Sequence, residues 1–513
     1  MTTCGLAVSA ARARAPRPRP WRREIRATLA LAAPLVLTNL AQHGLITADT
    51  VLLGRLGAQD LAAATLATSL YFILFICGIG LTSAVAPLIA EALGRDPRAT
   101  DAVRRLVRAG FWAASLVSVP LMIGLWHTQA LLDVLGEPPD LTEAAGRYVR
   151  ALQWAMWPSL LFMVLRGTFS ALERPAWPLA ASLLALPVNV VLGLWLAFEG
   201  TGRLGLGLVG VGIATTAAAF FTLAVLLAVI CCDASLRRFR LLHRVWRFDV
   251  AGLSAVFRLG LPMAATGLAE AGLFEAAALG MGLFGARQLA AHAVAIQVAA
   301  ICFMVPNGVA QAATVRVGLR RGAQDADGMR RAGHVALALG LGFMVACASA
   351  QLGAPRLLIG LFLDLDAREN AAVIPYAVGF LGLAALFAVA DGVQSVMLGM
   401  LRGLQDTRVP MLIAVGGYWG IGVPLGAGLA WGAGLEGTGI WLGFCAGLFV
   451  VAVLLAARWH RLTRIGPAAG PHAATGTGGP RGGTMITKAS LRGGSAARLD
   501  FRRRAVALHR RDQ

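Results

Sequence analysis

APLVLTNLAQHGLITADTVLLGRLGAQDLAAATLATSLYF, residues 33–72, holds two apolar runs around a short polar turn, and it has a counterpart 228 residues further on. At that shift Pro34 meets Pro262. LGAQDLAA (56–63) meets FGARQLAA (284–291) with five identities in eight. Gly80, Ala84 and Gly94 meet Gly308, Ala312 and Gly322 in the same ungapped register. A second echo, at a shift of 236, sets LRG (165–167) on LRG (401–403). Single matches between small residues are cheap, but one register held over sixty residues marks an internal repeat.

Each run is long enough to cross a bilayer, roughly 20 residues, and similar runs fill most of the chain. The 513 residues are 57% hydrophobic and 14% charged, with a mean hydropathy of +0.69. A soluble protein of this size needs far more surface charge. Backbone groups in hydrocarbon must be satisfied internally, so helices are expected. Twelve spans are read between residues 27 and 458, among them 27–53, 61–92, 147–172, 250–283 and 408–431. A shift covering six helices keeps both copies in the same membrane orientation, which is a parallel repeat of the kind known in secondary transporters. The predicted fold is all-α and polytopic, with twelve transmembrane helices in two six-helix lobes related by a parallel pseudo-two-fold axis. The segments are a basic tail (1–25), an N-terminal lobe (26–235), a basic linker (236–249), a C-terminal lobe (250–462) and a disordered basic tail (463–513).

The net charge of +20 comes almost wholly from arginine, Lys488 being the single lysine. These arginines flank apolar segments or sit in the tails instead of covering a soluble face, so nucleic acid is not an expected partner. Nineteen of them, including Arg95, Arg104, Arg108, Arg244, Arg247, Arg316 and Arg320, fall on one side of the predicted spans and seven on the other. The positive-inside rule places the rich side and both termini in the cytoplasm, which requires an even span count. The first 25 residues lack a hydrophobic run with a cleavage site, so the first span is expected to direct insertion. The seven cysteines show no metal or disulfide spacing. No nucleophile–base arrangement, P-loop or dinucleotide fingerprint is present, and no loop is long enough for a nucleotide-binding domain. An enzyme and an ATP-driven pump are both unexpected, as is any cofactor beyond a coupling ion.

Ionisable side chains within spans are costly and mark candidate sites. Glu270 lies 12 residues past Arg258, and Asp391 lies 11 before Arg402. Both therefore sit about 16–18 Å deep at 1.5 Å per residue. At one depth they can share a cation or a proton, or else line a polar cavity without titrating. Glu270 overlays Gln42 and Asp391 overlays Ala155, so the repeated scaffold needs neither acid. Asp49, 23 residues from Arg26, is read near the outer interface, where an ordinary interfacial acid is the competing reading. Glu275 points elsewhere on its helix. His43 and His292 read as helix–helix hydrogen bonders, and Asn189 reads as a cavity liner or an inter-helix bonder.

At these residues the chain resembles a known family, the multidrug and toxic-compound extrusion (MATE) transporters, specifically the NorM-like branch. Residues 33–72 resemble its first-span signature. GLPMAATGLAEAGLF (260–274) and ADGVQSVMLGMLRGLQDTRVP (390–410) resemble those of its seventh and tenth spans. The resemblance runs from about 26 to 460. It implies alternating access and antiport of organic cations or drugs against Na+ or H+ in a bacterial inner membrane, by a monomer. The family's cation site falls on Glu270 and Asp391, which would hold Na+, and its first-span acid falls on Asp49. Asn189 matches a polar position of the N-terminal lobe, with Gln42 and Phe387 as further cavity candidates. Two departures stand out. Phe387 replaces a tyrosine of sodium-coupled relatives, and Gly193 replaces an acid of the proton-coupled branch. A lipid-linked precursor flippase is the alternative, but it would favour a basic cavity. Arg166 and Arg402 are expected near the cytoplasmic ends of their spans.

Overall fold

The computed structural model describes residues 20–198, 204–368 and 370–464. Most of both basic tails lies outside these residues, including the C-terminal segment expected to be disordered. The first half comprises α1 (Pro20–Leu56), α2 (Ala58–Thr82), α3 (Val85–Arg95), α4 (Thr100–Trp126), α5 (Thr128–Val134), α6 (Pro139–Leu152), α7 (Met156–Ala171), α8 (Ala176–Ala197) and α9 (Gly207–Cys232). A linker with the short α10 (Ala234–Arg237) leads to α11 (Val250–Leu283), α12 (Ala286–Gly322), α13 (Ala326–Gly353), α14 (Pro355–Ile359), α15 (Ile374–Gly403), α16 (Arg408–Val415), α17 (Val423–Ala427) and α18 (Glu436–Arg464). Helix α1 starts at Pro20, so residues 20–25, read as tail, belong to the first helix.

Eleven helical segments among the described residues are long and apolar enough to cross a membrane. The fourth predicted span supplies the twelfth, but as two helices, α6 and α7, joined by a 3₁₀ turn at Gln153–Ala155. Pro158 explains the break, since its ring displaces the carbonyl four residues earlier, at Trp154, and it donates no N–H. The second span is made of α2 and α3, joined by a turn at residues 83–84. The eleventh contains π-helical turns at Gly416–Gly422 and Gly428–Gly432 flanking Pro424 in α17. Extra residues per turn absorb the missing proline donor without ending the span.

The repeat reappears in the packing. Thr38 Oγ1 donates to the Pro34 carbonyl at 2.7 Å, and Thr266 Oγ1 to the Pro262 carbonyl at 2.9 Å. Gly57 and Gly285, also 228 apart, take φ values of 149° and 99° at the two matching turns, a region costly for a side chain. A Cβ on Gly80 would strike the Ala264 backbone, and one on Gly308 would strike Val36. Gly94 packs in the same way on Leu319, and Gly322 on Glu91. Each contact maps onto its partner by the 228-residue shift, so a pseudo-two-fold axis runs through the lobe interface.

Charges at the arginine-rich end do not follow this symmetry. Glu24, only 3% exposed, accepts from Arg316 Nε at 2.8 Å and Arg316 Nη2 at 2.9 Å. Arg320 Nη2 adds a third bond to Glu24 at 3.2 Å, and Arg316 Nη1 also reaches Glu173 at 2.8 Å. Glu91 accepts from Gln405 of the other lobe. Together with the glycine contacts, these bonds close this end of the interface.

Candidate functional site

Two polar clusters are buried in the helices, one in each lobe. In the N-terminal lobe α1, α8 and α9 bring together Asp49, Asn189 and Thr215. Thr215 Oγ1 donates to Asp49 Oδ2 at 2.7 Å, and Asn189 Nδ2 approaches Thr215 Oγ1 at 3.4 Å. A hydroxyl has one proton, so the 3.0 Å approach of Thr215 to the Val211 carbonyl competes with its bond to Asp49. Asp49 Oδ1 and Asn189 Oδ1 are buried without a hydrogen-bond partner. Asp49 is 9% exposed, packed inside the lobe two turns before the end of α1. Gly193 packs on the Leu52 side chain.

In the C-terminal lobe α11 and α15 carry Glu270 and Asp391 near enough for their charges to repel. Tyr418, held by the first π-helical turn, interacts with both acids. Asp391 Oδ1, Gln394 Oε1 and the Tyr418 hydroxyl are all buried without a hydrogen-bond partner. Buried oxygens are normally satisfied, so orphaned ones converging on two carboxylates mark a place for a cation, a proton or water. Asp391 and Gln394 share a face as i and i+3. Phe387 is buried among Phe274, Trp441 and Phe444, with ring centroids 5.9–6.1 Å away. Glu275 is exposed, as its helical phase suggested.

Arg402 is the penultimate residue of α15, near the end of its span as expected, and the Glu270 charge acts on it from within the lobe. Arg166, which is buried, donates from Nη2 to Asn39 Oδ1 at 2.5 Å and to Gln311 Oε1 at 2.7 Å. Its Nη1 lies 3.3 Å from Gln42 Oε1. Both arginines reach inward for one reason. Side chains lean toward a helix N-terminus, and α7 and α15 run toward the arginine-rich end, so that lean points into the bilayer. The two arginines are repeat partners, as are Gln42 and Glu270. The Arg166–Gln42 bond of one lobe therefore has as its counterpart in the other an attraction between the charges of Arg402 and Glu270, with an amide exchanged for an acid.

Gln42 thus belongs to the lobe junction and not to the Asp49 cluster. His292 stacks edge-on against Trp441 at 5.5 Å, and its Nδ1 has no partner, so it packs more than it bonds. Thr215, Gln394, Tyr418 and the two inward arginines escaped the sequence reading. Thr215 and Gln394 were visible only as isolated polar residues in apolar spans. Among the described residues no group of three or more His, Cys, Asp or Glu could hold a metal ion.

The sequence profile of the MatE family matches residues 34–195 and again 262–427, so its two copies begin at Pro34 and Pro262, in the register of the repeat. A probable multidrug resistance protein NorM of Mesorhizobium japonicum is 48% identical, over 87% of this chain and 96% of its own length. A multidrug resistance protein NorM of Burkholderia vietnamiensis is 38% identical, over 85% of this chain and 94% of its own. A eukaryotic MATE transporter (AtDTX14) superposes with a TM-score of 0.78 over 87% of this chain and 99% of that one, at 22% identity.

Proposed function

The chain belongs to the MatE family, and from that premise we propose that it exports organic cations and drugs by alternating access, in exchange for Na+ or H+. It acts as a monomer in the bacterial inner membrane, with the arginine-rich end and both termini in the cytoplasm. The multidrug-resistance names of its relatives support the substrate class. The observation that carries the coupling is the set of orphaned oxygens around Glu270 and Asp391. Oxygen donors suit a hard cation such as Na+. Tyr418 supplies from the eleventh span the hydroxyl that Phe387 lacks, and Gly193 argues against a second proton-carrying acid in the other lobe. On both counts sodium is the favoured ion.

Arg402 balances one of the two acids in the state described, which leaves the other uncompensated until a cation or proton arrives. An ion that binds this arrangement better than its alternative shifts the lobes by its differential affinity alone. Asp49, with Thr215 and Asn189, forms a second coupling site or a cavity wall for the organic cation. The test is export of a fluorescent cation by everted vesicles, driven by a sodium gradient alone and then by a proton gradient alone. Loss of ion-driven export in Asp391→Asn and Glu270→Gln is expected. Full export by both variants refutes the coupling site.

A further inference from the structure

We propose that the arginine-rich end carries a binding site for an anionic phospholipid, set between α4 and the linker that joins the lobes. A cavity of about 570 Å³ lies there, lined by Arg104, Arg105, Arg108, Arg244 and Arg247. Two acids share the lining, and both are already engaged. Asp101 pairs with Arg104 at 3.1 Å. Asp249 caps α11 by accepting from the Gly252 amide at 3.2 Å. Arg108 is 8% exposed, yet its nearest acid, Asp249, is 3.7 Å away and its buried Nε has no partner. Arg105, Arg244 and Arg247 have no ion pair among the described residues. A hollow of net positive charge, with three of its five arginines free of any ion pair, fits a phosphate that can take several charge-assisted bonds.

A second hollow identifies the phosphate as a lipid's. An apolar groove of about 190 Å³ adjoins the same linker, lined by Phe111, Trp112, Trp157, Leu161 and Trp246. Trp112 Nε1 donates to the Val245 carbonyl at 3.1 Å and Trp157 Nε1 to Ser115 Oγ at 2.9 Å. Their polar edges are thus satisfied by protein, leaving ring faces for the groove. From Arg108 to Ser115, α4 descends seven residues, about 10 Å, into the span. The basic cavity therefore stands at headgroup level and the groove runs toward the acyl region. A free phosphate would use the first and leave the second empty. The lining includes α4 of one lobe and the first residues of α11 of the other, so a bound headgroup bridges the lobes and favours the arrangement seen here. The site rests on membrane insertion, not on the export reading above.

The test uses the full-length protein in detergent micelles. Trp246 quenching, taken as the difference between the parent and Trp246→Phe, is titrated with brominated phosphatidylglycerol and with brominated phosphatidylcholine. Half-quenching by phosphatidylglycerol is expected at about tenfold lower mole fraction, and the double variant Arg244→Gln/Arg247→Gln should weaken it roughly thirtyfold. Both arginines are exposed, so an unchanged melting midpoint confirms the fold of the variant. Retention of phosphatidylglycerol by the intact chain in native mass spectrometry gives a readout free of quenching. Equal quenching by the two lipids, or indifference to the double variant, overturns the proposal. Displacement of the lipid by millimolar inorganic phosphate overturns its assignment to a lipid.

Discussion

Replacing Glu24 by Gln isolates the charge that holds the arginine-rich end closed. Three N–H donors of Arg316 and Arg320 converge on its carboxylate at 2.8–3.2 Å, in a site where Glu24 is 3% exposed. An amide offers one acceptor oxygen and turns its own donors toward a guanidinium. Breaking a buried pair by removing one partner costs about 3–5 kcal/mol. Arg316 keeps Glu173, so the lower bound applies. About 3 kcal/mol is roughly a 150-fold change in the ratio of closed to open interface. The reporter is Ala90→Cys in a background without native cysteines, because Ala90 is fully buried against Gly318. Maleimide labelling of that thiol requires opening, so its rate should rise about 100-fold in Glu24→Gln. Glu173→Gln is the control. Its carboxylate is largely exposed, and a rim pair of about 0.2–1 kcal/mol should change the rate at most about fivefold. An equal response to the two substitutions, or none to Glu24→Gln, refutes the assignment of closure to the buried pair.

Leu at Gly80 or Gly308 forces a side chain into the opposite lobe's backbone, so both should lower the melting midpoint by overpacking worth about 1–3 kcal/mol or more. Ala at Gly282, which faces open space, should leave it unchanged. Thr215→Val removes the hydroxyl that donates to Asp49, an expected cost of about 1–3 kcal/mol in stability that Thr215→Ser should restore. Tyr418→Phe removes one of the orphaned oxygens near Asp391. Its apparent affinity for the coupling ion in vesicle export should fall about tenfold or more, and an unchanged ion dependence rules the hydroxyl out of the site.

The architecture was legible because it is written in period and register. Apolar run length located the spans, and the 228-residue shift paired Pro34 with Pro262 and Gly80 with Gly308 before any contact was known. Even the fourth span, broken in the structure, was found by hydropathy, since Pro158 interrupts the helix without making it polar. Glu270 and Asp391 were legible as acids where the repeat has none. The remainder depends on contacts that leave no local trace. Glu24 meets Arg316 across 292 residues, and Tyr418 feels the charge of Asp391 from a different helix, where a π-helical turn breaks the regular phase. Arg166 and Arg402 were placed by counting Cα positions, a method blind to where a long side chain leans. The bond from Thr215 to Asp49 joins α9 to α1 across 166 residues and left no local mark in the sequence.

The duplicated glycine contacts also set a mechanical advantage. Gly80 and Gly94 lie 14 residues apart on the second span, as do Gly308 and Gly322 on the eighth, a lever arm of about 20 Å. If the upper pair serves as fulcrum, a rigid tilt of about 15°, typical of rotations about protein interfaces, moves the lower pair apart by roughly 5 Å. The fulcrum hardly shifts meanwhile. Small adjustments near Ala264 and Val36 are thereby geared into an aperture wide enough for water at Glu91, while the bearing surface that guides the motion stays in contact.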